Sequence, residues 1–247
     1  MKVKLISITE NPEKIISYIA RVSNPDNQNN PNYAKLIKFL IKNHHWSPFE
    51  HAHMTVEIVT SRAIAAQILR HRSFSFQEFS QRYSEVSEFE PIELRKQAIK
   101  NRQSSLEIFE PDMKALLGDK AMNANELIFQ LLEDSRAIYN VLIAAGVAKE
   151  VARMILPLTT QTTIFMTGSV RSWIHYLDIR DDKHTQKEHQ LIAKEIRAIF
   201  NEYLPTVAQA LDELKKEQEE KDLLYALLLM GEITLPDEIK NEITTNT

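Results

Sequence analysis

The hydrophobic and polar positions of the chain form short alternating runs separated by longer stretches of helical period. KVKLISIT at 2–9 alternates well enough for an edge or half-buried strand. Asn11 and Pro12 then supply an N-cap and a first-turn proline for a helix through Ile15, Ile16 and Ile19, ending near Ser23. The asparagine-rich, proline-flanked residues 24–32 predict a mobile surface loop. A second helix from Tyr33 to Asn43 sets Leu36, Phe39 and Leu40 on one side. NHHWSPFEH at 43–51 reads as a proline-broken turn before a strand, HMTVEIVTS, with His51 and His53 sharing one strand face. Ser61 N-caps a helix through Ala63, Ile64, Ile68 and Leu69.

Helical period dominates the second half. From Asn123, Leu127, Ile128, Leu131, Ile138, Val141 and Leu142 form a stripe that ends at Gly146 and predicts a core helix. The short helix AKEVARMIL is stopped by Pro157. TTQTTIFMTGS, rich in β-branched residues, predicts a strand that feeds the helix SVRSWIHYLDIR, whose Val170, Trp173, Ile174 and Leu177 share a face. DDKHTQKEHQLIAKEIRAIF reads as another helix and residues 205–220 as a third. Residues 84–121 have mixed charge, two prolines and a helical stretch near 92–103; a solvated insertion and an excursion over a site both fit them. The fold class expected is α+β: a single domain of several helices packed on a small, mostly antiparallel sheet. It spans 1–220, with 85–120 a variable excursion and 221–247 a C-terminal tail, docked or frayed.

Composition narrows the chemistry. The 247 residues include no cysteine, which removes disulfides, thiolate metal sites and any thiol nucleophile. The four glycines form no G-x-G-x-x-G and no P-loop, so phosphates must be met by side chains and helix ends. A net charge of −4 does not support a chain-wide grip on nucleic acid. The longest apolar run, LLYALLLM at 223–230, is too short to span a bilayer, and a soluble cytoplasmic protein is expected, or one of the host cytoplasm if viral.

Against that background residues 70–83, RHRSFSFQEFSQRY, stand out. Arg70, Arg72 and Arg82 offer planar forks for phosphate or carboxylate, and Phe74, Phe76, Phe79 and Tyr83 offer faces for flat rings, so the guest expected is a nucleotide. Helical spacing sets Gln67, Arg70 and His71 toward a common ligand. Arg153, Arg171 and Arg180 form a second set of cations beside apolar stripes, which calls for an anionic ligand or for carboxylates such as Asp181 or Asp182. Ser80 lacks an assigned base and reads as a hydrogen-bonding group, while Glu78 either accepts from a ribose or orients the arginines. A metal site at His51 and His53 is conceivable, but without clustered carboxylates the pair reads as ordinary structure, and His184 and His189, five apart, diverge on a helix, so no metal is expected. A non-catalytic nucleotide- or RNA-binding module using the 70–83 stretch remains the alternative to an enzyme.

Arg70-His71-Arg72, seven residues, then Ser80-Gln81-Arg82 also matches the RHR-x7-S-x-R signature, and the chain resembles the flavin-dependent thymidylate synthases. The likeness extends to His45-x-x-Pro-Phe-Glu-His51, Arg153-x-x-Leu-Pro157 and Arg171-Ser-Trp-x-His175 followed by Arg180, and covers roughly residues 1–215. It implies that fold, an active site for dUMP built from Gln67, Arg70, Glu78, Ser80, Gln81, Arg82, Arg153 and Arg180, and Arg180 as the catalytic group at the uracil ring. It implies FAD held by Ser47, Glu50, Arg70, His71, Arg72, Glu78, Ser169, Arg171 and His175, although Ser169 stands where the family commonly has asparagine. NADPH as electron donor, 5,10-methylenetetrahydrofolate as one-carbon donor and a homotetramer with shared active sites follow from the same resemblance, with no nucleic acid and no membrane as partners.

Overall fold

A computed structural model describes residues 1–85, 88–100, 105–118 and 122–230. In chain order the elements are β1 (Lys2–Ile8), α1 (Pro12–Ala20), α2 (Ala34–Lys42), β2 (His53–Ser61), α3 (Arg62–Ile68) and β3 (Ser75–Glu78). A hairpin of β4 (Arg95–Gln97) and β5 (Ser105–Ile108) follows, then α4 (Met113–Leu117), α5 (Ala124–Ala144) and α6 (Lys149–Ala152). The chain continues through β6 (Gln161–Ser169), α7 (Val170–Arg180), α8 (Lys187–Tyr203) and α9 (Pro205–Leu229). It divides into two compact units: Met1–Thr9 with His53–Ile199, and Glu10–Ala52 with Phe200–Thr247.

The first unit is organised on an antiparallel sheet of order β1-β2-β6-β3, in keeping with the α+β expectation and with β1 at an edge. Alternation along β2 buries Met54, Val56 and Ile58, and the register sets Val56 opposite Met166 and Ile58 opposite Ile164, all fully buried. Each such side chain contributes about 1.5–3 kcal/mol by leaving water. Helix α7 closes this face with Val170, Trp173, Ile174, Tyr176 and Leu177, and the Trp173 indole donates to the Met54 carbonyl at 3.0 Å. Phe74 packs edge-on against Trp173 with ring centroids 4.7 Å apart. A Cβ on Gly168 would stand 2.5 Å from two carbons of the Phe74 ring, so this point of β6 accepts only glycine without repacking.

In the second unit α1 buries Ile16, and its Glu13 carboxylate accepts from the Val207 amide at 2.8 Å and the Thr206 hydroxyl at 2.6 Å. It thereby supplies to α9 the N-terminal cap that Leu204 cannot offer. Helix α2 packs against α9, where Lys38 bridges Glu213 and Glu217.

Several sequence expectations need correction. Helix α2 buries Ile37, Leu40 and Ile41, while Phe39 is exposed. Asn11 precedes α1 in a left-handed conformation, φ 48°, and its side chain makes no cap bond. Residues 24–32 lie at the surface, and the buried Arg21 guanidinium donates to the Asn30 and Asn32 carbonyls. His51 lies in a 3-10 turn and not on β2, so it shares no strand face with His53. The helix expected near 92–103 is replaced over 95–97 by a strand paired with β5; residues 101–104 lie outside the described residues. The stripe on α5 is not core: Leu131, Ile138 and Val141 are 54–66% exposed and only Ala124 and Tyr139 are buried. Helix α9 runs unbroken past residue 221 to Leu229, and the rest of the expected tail lies outside the described residues.

Candidate active site

Helix α3 starts where Ser61 accepts from the Ile64 amide and ends at Ile68, earlier than the sequence pattern predicts. The chain then turns through Arg70 and His71, whose amides donate to the Gln67 and Ile68 carbonyls. Gln67 and His71 still face one neighbourhood, but through a turn and not along a continuous helix, and Arg70 is exposed. At the far end of α7, Arg180 reaches back, and its Nε donates to His71 Nε2 at 2.9 Å. Two residues 109 positions apart are thus joined.

A guanidinium always donates, so His71 Nε2 must be an acceptor and the ring neutral. Burial, then the charges of Arg180 and His175, push His71 down to about 4. Beside it lies His189 of α8, fully buried and driven down to about 3 by burial and by the Arg180 and His71 charges. Tyr176 packs against both imidazoles, with centroids 5.0 Å from His71 and 5.8 Å from His189. Its hydroxyl lies 3.1 Å from His189 Nε2, and burial raises its pKa well above the usual phenol value. His189 Nδ1 meets Gln67 Oε1 at 3.2 Å, and Gln67 Nε2 donates to Gln186 Oε1 at 2.7 Å.

The carboxylates adjacent to Arg180 are committed elsewhere. Asp181 accepts from Arg197 Nε at 2.5 Å, and Asp182 pairs with His184 at 2.7 Å. Among the described residues no carboxylate lies within 4.0 Å of the Arg180 guanidinium, so its outer nitrogens are left for a guest.

A second cluster stands on the following turn. Arg82 pairs with Glu150 at 3.3 Å, and Arg153 donates to the Glu150 carbonyl at 3.3 Å, so two arginines expected at a phosphate meet at one residue of α6. The Ser80 hydroxyl accepts from the Arg82 amide. Between them Gln81 is buried, and its side-chain nitrogen has no partner among the described residues, a donor in want of an acceptor.

Other expected residues stand apart. Glu78 accepts from Arg62 at 3.3 Å and from Thr162 at 3.0 Å, so it orients an arginine outside the 70–83 stretch. The Ser169 hydroxyl caps α7 by accepting from the Ser172 amide at 3.3 Å. Phe74 is core rather than a surface for a base. Arg72, Arg171 and His175 are exposed, the last two one turn apart on α7. Ser47 and Glu50 belong to the 3-10 turn Ser47–His51 of the second unit. No His/Asp/Glu group suited to a metal ion occurs among the described residues. Residue-by-residue reading missed His189 and Tyr176, although His189, Ile192, Ala193 and Ile196 follow a helical period on α8.

The donor set suits a dinucleotide cofactor. Arg70 and Arg72 are exposed cations with no ion pair among the described residues, as a diphosphate requires, and the neutral His71 ring can meet a flat heterocycle without charge repulsion.

Known proteins resemble the chain over most of its length. Residues 4–206 match the Thy1 family model, described as thymidylate synthase complementing protein. The flavin-dependent thymidylate synthase of Synechocystis sp. is 51% identical over 86% of this chain and all of its own length. A probable flavin-dependent thymidylate synthase of Paramecium bursaria Chlorella virus 1 is 48% identical over 86% of this chain and 99% of its own. The crystal structure of a UMP/dUMP methylase, PolB from Streptomyces cacaoi, solved with 5-Br dUMP bound, superposes with a TM-score of 0.71 at 25% identity, covering 86% of this chain and 94% of that one. The chain belongs to the flavin-dependent thymidylate synthase family.

Proposed function

We propose that the chain converts dUMP to dTMP, moving the methylene of 5,10-methylenetetrahydrofolate to C5 and reducing it with electrons that pass from NADPH through FAD. The observation that carries this reading is the Arg180–His71 pair: a guanidinium anchored at Nε by a neutral ring, with its outer nitrogens clear of carboxylates. Placed beside the uracil imide, Arg180 stabilises negative charge on N3 and O4 without giving up its own proton, and so directs electron density toward C5. When bound, the flavin would supply the redox chemistry, and the chain, having no cysteine, offers no thiol nucleophile.

Arg82 and Arg153 hold the nucleotide phosphate, assisted by Ser80 and the unpartnered Gln81 amide, while Gln67 and Arg70 bound the pyrimidine and sugar side. Glu78 serves through Arg62, or accepts from the ribose. Arg70, His71, Arg72, Arg171 and His175 hold FAD, together with Ser47, Glu50, Glu78 and Ser169. The Ser169 hydroxyl also holds the start of α7. A homotetramer would cover the exposed Leu131, Ile138 and Val141 of α5, an apolar row unusual on a solvated helix. Residues 1–220 form the catalytic domain, with 85–120 a variable excursion and 221–247 a C-terminal tail, docked or frayed, and the protein works in the cytoplasm, or in the host cytoplasm if viral.

The rival reading, a non-catalytic RNA-binding module, is not favoured: Phe74 is buried and the family match covers 4–206. One absorption spectrum of the purified protein between about 350 and 500 nm tests the choice, since oxidised flavin absorbs there. A yellow protein that forms dTMP is expected. A colourless protein that binds oligonucleotides in a salt-sensitive way would reverse the assignment.

A further inference from the structure

Behind the Arg180–His71 pair runs a row of hydrogen bonds with a single direction. Its outer end is a charge: Glu188 accepts from Arg95 on β4 and from Gln186 Nε2 at 2.9 Å. A carboxylate only accepts, so Gln186 must turn its nitrogen to Glu188 and its oxygen toward Gln67. Gln67 therefore presents Nε2 to Gln186, at 2.7 Å, and Oε1 to His189, at 3.2 Å. That oxygen in turn requires a proton on His189 Nδ1. The ring is neutral, so its Nε2 accepts, and the Tyr176 hydroxyl donates to it at 3.1 Å. The one carboxylate sets every polarity as far as His189 Nδ1, and the neutral ring sets the last.

We infer that His189 is a positioning residue: held as the Nδ1–H tautomer by Tyr176, it fixes the Gln67 carboxamide so that the nucleotide meets an N–H and not a carbonyl. The second N–H on Gln67 Nε2 is the atom this arrangement leaves for the guest. Reversing the amide would set oxygen against Gln186 Oε1 and an NH2 group against His189 Nδ1–H, two repulsive contacts where there were two hydrogen bonds. Burial supports both ends of the bond: it keeps the imidazole neutral at any working pH and the phenol protonated. The β4–β5 hairpin thereby contributes, through Arg95 and Glu188, to recognition at a site it does not itself line.

The inference rests on the reading that Gln67 belongs to the dUMP site, and a set of variants separates the two. Asparagine places an N–H near the position of Nδ1, whereas glutamine places its amide near Nε2 and loses the link to Gln67. His189→Gln and His189→Leu are expected to raise the KM for dUMP about tenfold with a smaller change in kcat, and His189→Asn to stay near wild type. Adding Gln67→Ala to His189→Leu should cost nothing further, since both act through one amide. Equal losses in His189→Asn and His189→Gln would mean that His189 only fills space, and the inference fails. If Gln67→Ala raises KM while His189→Gln does not, the inference fails and the nucleotide site stands. If Gln67→Ala itself changes nothing, the placement of Gln67 at dUMP fails, and the inference with it. Should the His189 variants not fold, 15N NMR of histidine-labelled wild-type protein decides: an Nδ1–H ring is expected at His189, which shifts toward Nε2–H in Tyr176→Phe, and an Nε2–H or doubly protonated ring in the wild type would overturn the inference.

Discussion

The first unit holds two arginine pairs, Arg180 with His71 and Arg82 with Glu150, that differ in how much of their geometry is settled before any ligand arrives. Arg180 is held by His71, which is packed against the fully buried Tyr176 and beside the fully buried His189. Arg82 meets Glu150 with the two side chains 60% and 56% exposed. The first pair is braced by rings whose polarity is dictated by their neighbours; the second is a surface ion pair, worth about 0–1 kcal/mol and free to exchange its carboxylate for another anion. Chemistry needs a charge at a fixed distance from a reacting ring, whereas phosphate capture needs only cations within reach. That is the division of labour proposed here for Arg180 and for Arg82 with Arg153.

The sharpest way to break the comparison is Arg180→Ala, expected to reduce turnover by about 10²–10³ while the flavin absorbance of the purified protein persists. Loss of flavin together with turnover would assign Arg180 to cofactor binding instead.

Acid should act on the braced region next. His71 and His189 are held at about 4 and about 3, below the ordinary 6.5, so between those values the unfolded chain binds more protons than the folded one. Stability is therefore complete above pH 6.5 and falls as pH drops toward 4 and then 3, by about 1 kcal/mol per pH unit for the fully buried His189. Thermal unfolding followed from pH 7 to pH 4 checks this, and a transition independent of pH would show that the rings are not held neutral.

At the exposed cluster the changes should be smaller and ionic. Arg82→Ala is expected to raise the KM for dUMP about tenfold, to leave kcat nearly intact and to flatten its dependence on salt. Smallest of all, and opposite in sign, Glu150→Gln releases Arg82 from a competing carboxylate and should lower that KM by no more than about fivefold. A higher KM in this variant would make Glu150 a support for the arginines rather than a competitor.

How far the sequence foretold these regions depended on whether local period or tertiary partners decide the outcome. Strands β1, β2 and β6 and helix α7 were legible because alternation and the Val170, Trp173, Ile174, Leu177 spacing record burial within the same unit. The α5 stripe misled for the same reason, since an apolar row looks identical whether it meets its own core or remains exposed on the protomer. The β4 segment, rich in residues that favour helices, is drawn into a strand by pairing with β5 and by the partners of Arg95, Glu93 and Glu188. At the site, RHR and Arg180 stood out by residue type, but their junction spans 109 positions and no local pattern encodes it. His189 lay among apolar residues at helical spacing, where a histidine reads as packing until Gln67 and Tyr176 are seen on either side.

Methylation at C5 of the pyrimidine must displace the hydrogen there, so release of tritium from dUMP labelled at C5 reports the central claim directly. The purified flavoprotein, supplied with reductant and methylenetetrahydrofolate, is expected to release tritium in step with dTMP formation, and the Arg180→Ala protein to release almost none. No release from the wild type, or undiminished release from the variant, would contradict the account.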